Sequence, residues 1–81
     1  MNDKSYIALN TTQINHRYTI LDIRCENKAL LNRLVDFGFS RNAQIVRLYS
    51  SLCKGCSVYK IKGCLIALRD KDTSNIFVSK I

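Results

Sequence analysis

The stretch SVYKIKGCLIALR, residues 57–69, decides how the chain folds. Its first half sets Tyr59 and Ile61 against Lys60 and Lys62, the alternation of a strand with one face on a core and one in water. Lys62-Gly63 then makes a tight reversal, where glycine adopts a positive φ without steric cost, and Cys64–Arg69 returns as a second strand. Upstream, Ala43–Tyr49 (AQIVRLY) is rich in β-branched and aromatic residues and supplies a third strand, linked to the hairpin through Ser50–Cys56. Downstream, the charged turn Asp70–Asn75 leads into a last short strand, Ile76–Val78.

Before the meander, residues 1–6 read as a loose N-terminus, so that the domain is expected over 7–81. Ile7–Leu9 forms a short strand or anchor, and Asn10–Gln13 a polar turn whose side chains compete with regular backbone pairing. The segment RYTILDIRC, residues 17–25, predicts a strand with Tyr18 and Ile20 on one face and Leu21, Ile23 and Cys25 on the other. A helix is expected over about 28–37. Asn27 can cap its first turn, Leu30, Leu31, Leu34 and Val35 form one apolar stripe, and Gly38 suits the left-handed position after its end. The order is that of a mostly β, partly open small barrel with one short helix inserted early.

At 81 residues, with 13 Lys+Arg against 6 Asp+Glu and a net charge of +7, the chain suits one small basic domain with no room for a deep active site. The basic residues are scattered. They keep a small protein soluble, or draw it toward an acidic partner, an anionic membrane or a phosphate backbone. No signal peptide and no run of ~20 apolar residues is present, which predicts a cytoplasmic protein whose four cysteines are not stable disulfides.

The stretch Leu31–Phe39 (LNRLVDFGF), the strand Gln44–Leu48, and Gly63–Arg69 (GCLIALR) followed by Ile76-Phe77-Val78 together resemble the FeoA family of bacterial ferrous-iron transport systems. The similarity covers about Leu9 to Val78. Its most specific part is Ala67-Leu68-Arg69 with Ile76 and Val78 at the expected separation. It departs at Arg41-Asn42, where the family usually carries Pro-Gly; asparagine tolerates the positive φ such a turn requires. The resemblance implies an SH3-like barrel and an accessory or regulatory role in Fe(II) uptake. The partner it implies is the cytoplasmic part of the membrane transporter FeoB, which would place the chain at the inner face of the membrane. Exposed apolar groups beside positive charge make Leu34, Phe37, Phe39, Arg41 and Leu52 the candidate contacts, with core packing the competing reading for the two phenylalanines.

Cys53 and Cys56 form a CxxC, with Cys64 one hairpin away and Cys25 farther off. They can be read as a Zn or Fe site, as a redox pair, or as small apolar residues with a thiol pair in a loop. The lone His16 sits in a polar turn without a nucleophile–base–orienter set, and three separated glycines cannot form a phosphate loop, so no enzyme is expected. Fe(II) favours imidazole and carboxylate ligands, which are scarce here. The rival reading is a nucleic-acid-binding barrel using Arg47, Lys54, Lys60 and Lys62 with Tyr59 as a stacking platform. A third is an accessory domain of the kind found in DtxR-type metal regulators.

Overall fold

The computed structural model describes residues 6–50 and 54–81. Six strands, β1 (Tyr6–Ala8), β2 (Arg17–Ile23), β3 (Gln44–Ser50), β4 (Cys56–Ile61), β5 (Cys64–Arg69) and β6 (Ile76–Lys80), form one antiparallel sheet in the order β1-β6-β2-β3-β4-β5. A 3₁₀ turn (Leu9–Thr11) follows β1, and helix α1 (Lys28–Asp36) lies between β2 and β3. The expected charged turn contains a single helical turn, α2 (Asp70–Thr73), and β6 runs two residues beyond Val78. Tyr6, read as part of the loose end, is already in β1, paired with Ser79.

The sheet curls because two strands carry bulges. Pairing between β2 and β6 slips between Ile20 and Asp22, and pairing between β3 and β4 slips between Arg47 and Tyr49. An extra residue on one strand bends it and increases its twist. Side chains on the concave face then meet: Tyr18, Ile20, Ile45, Tyr59, Ile61, Leu68, Ile76 and Val78 are buried together with Leu9, Leu34, Phe39 and Ala43.

Helix α1 begins where the sequence places it. The Asn27 side chain accepts from the Leu30 amide at 3.1 Å, satisfying one of the donors that a helix start leaves open. Its apolar stripe is narrower than expected, for Leu34 is buried, Leu30 packs against the core, and Val35 stays 54% exposed. Phe37 is the C-cap, and Gly38 follows at φ 103°. The β4–β5 reversal, with Lys62 and Gly63 at φ 47° and 79°, lays the Lys62 stem directly over Gly38. That brings a cation to the negative end of the helix dipole.

Arg47, expected on a basic outer surface, instead points inward. Its Nε and Nη2 donate to Ser57 Oγ at 3.2 and 3.0 Å, and its Nη1 donates to the carbonyls of Asn10 and Thr12 at 3.3 and 2.9 Å. One half-buried guanidinium thus ties the 3₁₀ turn and the residues after it to the β3–β4 ladder. Asn15 N–H adds a bond to the Arg47 carbonyl at 2.8 Å.

Two stability effects follow. Arg47→Met strands the buried Ser57 hydroxyl and two carbonyls, and the urea midpoint should fall by an amount equivalent to about 2 kcal/mol with an unchanged slope. Gly38→Ala forces a side chain into positive φ and places its Cβ 2.7 Å from Lys62 Cδ. It should cost more than ~1 kcal/mol by the same measurement, whereas Gly55→Ala, whose Cβ meets nothing within 4 Å, bears only the conformational penalty.

Candidate partner-binding surface

The core claims two of the five expected contacts. Leu34 and Phe39 are each 1% exposed, so neither side chain faces a partner. Phe39 is held there by the helix end, where its amide bonds to the Leu34 carbonyl at 2.9 Å. Phe37, at the C-cap, keeps 37% of its surface open, and Arg41 is exposed in the turn before β3. Leu52 lies outside the described residues.

Arg41 does join a surface feature, and its companions were not anticipated. Together with Tyr6, Leu21, Asp22 and Arg24 it lines a depression of about 310 Å³. With Tyr18 and Ile20 turned inward, the alternation of the strand puts Leu21 on the outer surface, 38% exposed, and the bulge between Ile20 and Asp22 falls at this residue. The consecutive apolar pair Ile20-Leu21, which breaks strict alternation, is the signal that could have revealed it. Tyr6 is half exposed and meets the Phe77 ring edge-on at 5.7 Å, while Arg24 stacks over the other partner, its guanidinium carbon 5.1 Å from the Phe77 centroid. The Arg24 Nε also donates to Asp22 at 3.0 Å. This hydrogen bond holds the Asp22 carboxyl below its ordinary pKa, with Arg41 acting in the same direction through its charge. Two arginines, one paired carboxylate and two exposed apolar groups make a net cationic, partly apolar surface.

Cys56 and Cys64 do not converge. Cys64 opens β5 opposite Ile61, while Cys56 opens β4 opposite Arg69, so the register places them at opposite ends of one hairpin, five residues or roughly 17 Å apart. Strand geometry therefore keeps Cys64 apart from Cys56, its expected companion in the CxxC. Cys25 lies in the turn before α1, its Sγ 3.3 Å from the Asn27 carbonyl. Cys53 lies outside the described residues. Among the described residues no three His, Cys, Asp or Glu side chains gather closely enough to hold a metal ion.

The nucleic-acid platform is also dismantled. Tyr59 is fully buried, and desolvation pushes its phenol above the ordinary pKa. With Tyr59 in the core and Arg47 bonded internally, only Lys54, Lys60 and Lys62 of that set remain exposed.

Comparison with known proteins agrees with this architecture. The FeoA protein of Chlorobium tepidum superposes with a TM-score of 0.84 at 21% identity, over 93% of this chain and 70% of that one. A FeoA-like protein of Clostridium acetobutylicum gives 0.80 at 20% identity, over 98% and 91%. A manganese-dependent transcriptional repressor gives 0.85 at 15% identity over 99% of this chain, which corresponds to 44% of the repressor. At such identities these likenesses establish the fold, an SH3-like barrel. No curated protein matches the sequence significantly. The family model of the FeoA domain matches residues 7–80, and the chain belongs to the FeoA family.

Proposed function

We propose that this chain is a cytoplasmic accessory protein of Fe(II) uptake that docks on the cytoplasmic part of the FeoB transporter and does not hold the ion itself. Membership of the FeoA family supports the link to ferrous-iron transport. The observation that carries the docking is the depression in which Tyr6 and Leu21 stand exposed between Arg24 and Arg41. Aromatic and aliphatic anchors flanked by arginine are the composition of an interface centre, and the cationic rim suits an acidic transporter surface. No helix among the described residues is long and apolar enough to cross a membrane, and in this reading the partner supplies the membrane placement.

Titrating the purified cytoplasmic region of the transporter, with and without guanine nucleotide, tests the reading. Leu21→Asp and Arg41→Glu should each weaken binding about tenfold, a change of ~1.4 kcal/mol, with the far-UV spectrum unchanged. Binding by the parent that neither variant alters would remove the depression as the site, and no binding by the parent would remove the docking itself.

The surface also has a pH signature. Asp22 has a lowered folded-state pKa, so its contribution is present above its unfolded pKa and lost as pH falls through the folded value. Arg24→Ala removes the largest cause, and the Asp22 carboxyl midpoint, followed by NMR, should rise toward 3.8. A midpoint unmoved by that substitution would show that the hydrogen bond is not formed in solution.

A further inference from the structure

A second exposed surface lies at the other end of the sheet. Strand β5 ends the strand order and pairs with β4 alone among the described residues. The two-residue reversal Lys62-Gly63 makes Ile61 and Cys64 a hydrogen-bonded pair, as are Tyr59 and Ile66, then Ser57 and Leu68. The N–H and C=O groups of Leu65 and Ala67 therefore point away from β4, toward an open edge. Beyond that edge, a cleft of about 370 Å³ separates β5 from α1. Leu30 and Arg33 form its helix wall, Ala67, Leu68 and Arg69 its strand wall, and Asp72 also lines it.

Most exposed edges are blunted by charge, proline or a covering segment. Here the outward side chains next to the open backbone are Leu65, 60% exposed, and Ala67, so apolar residues flank unpaired peptide groups. The charges around the cleft select what can pair there. Arg33 is exposed and makes no ion pair among the described residues. Asp72 is already engaged by Arg69 Nε at 3.2 Å, and Lys60 stands opposite Leu65 in the ladder. A second copy of the chain would bring the same arginines and lysines, and a net charge of +7, against these.

We propose that β5 accepts an added strand from a partner protein: an extended, acidic segment with alternating apolar residues, paired on Leu65 and Ala67, with a carboxylate beside Arg33. Backbone pairing provides the affinity, and the arginine selects acidic over basic sequences. The site is separate from the Tyr6–Leu21 depression and does not depend on the transporter reading.

The probe is a capped six-residue peptide of alternating glutamate and valine, with lysine in place of glutamate as the control. Amide hydrogen exchange of the ¹⁵N-labelled full chain is followed by NMR at up to millimolar peptide. The glutamate peptide should slow exchange saturably at Leu65 and Ala67, and the lysine peptide should leave it unchanged. Arg33→Glu should weaken binding about tenfold. Ala67→Pro, which removes an outward N–H without touching the β4 ladder, should abolish protection at Leu65. Equal binding of both peptides, parent-like binding by every variant that retains the native spectrum, or unchanged exchange in the parent would overturn the proposal. Protection of the same amides by the protein alone, rising with its concentration, would overturn it in favour of self-pairing.

Discussion

A guanidinium placed inside the end of a small barrel is the constraint on which the rest of this structure depends. Arg47 lies opposite Tyr59 in the β3–β4 register, on the concave side, where an uncompensated charge would be costly. Its cost is offset because its donors find Ser57 Oγ and the carbonyls of Asn10 and Thr12. Those carbonyls belong to irregular backbone with no ladder of its own to join. Without Arg47 the turn after β1 would have to leave them unsatisfied or move them to water, and Leu9, which that turn holds in the core, would move with them. A domain of this size has few apolar contacts to spare, so a charge-assisted set of bonds does what additional hydrophobic area would do in a larger protein.

The same economy governs the helix. Only Leu34 of α1 is fully buried, and the sharp exit through Gly38 delivers Phe39 into the core immediately afterwards. Lys62, reaching from the β4–β5 reversal, seals the point where helix and hairpin meet. Helix and sheet are therefore joined most tightly at Leu34, near the C-terminal end of α1, while Leu30 packs against the core from one side and Arg33 lines the cleft between α1 and β5. The open cleft results from where the anchoring residues fall along the helix.

Local features were legible in the sequence because they are decided by neighbours. Asn27 caps, Gly38 terminates, Asn42 takes its positive φ, and Lys62-Gly63 reverses the chain for reasons contained within a few residues. The bulges were not legible, because an extra residue in β2 or β3 is defined only by the strand it faces. Arg47 was misread for the same reason: its carbonyl acceptors lie 35 and 37 residues away, and scattered charge is ordinarily solvated. Leu34 illustrates the converse error, and at Phe39 core packing wins over the competing reading as a contact. Apolar residues next to a cation look like a contact surface until the fold shows which of them the core needs. The Tyr6–Leu21 depression escaped notice because it joins β1, β2 and the turn before β3, which are distant in sequence.

The charge excess acquires a location from these placements. Arg24 and Arg41 border the depression beside β1 and β2, and Arg33 and Arg69 border the cleft beside β5. In strand order these are opposite ends of the sheet. In each case one carboxylate, Asp22 or Asp72, is bonded to one of the two arginines. Each carboxylate orients its partner without neutralising the pair, leaving a net positive rim around exposed apolar groups. Charge spread evenly over a surface aids solubility; charge held in this arrangement also orients an approaching acidic surface and disfavours a second copy. The concave face is packed with buried side chains, and on the two outer faces backbone edge, apolar anchor and arginine can each be altered without dismantling the core.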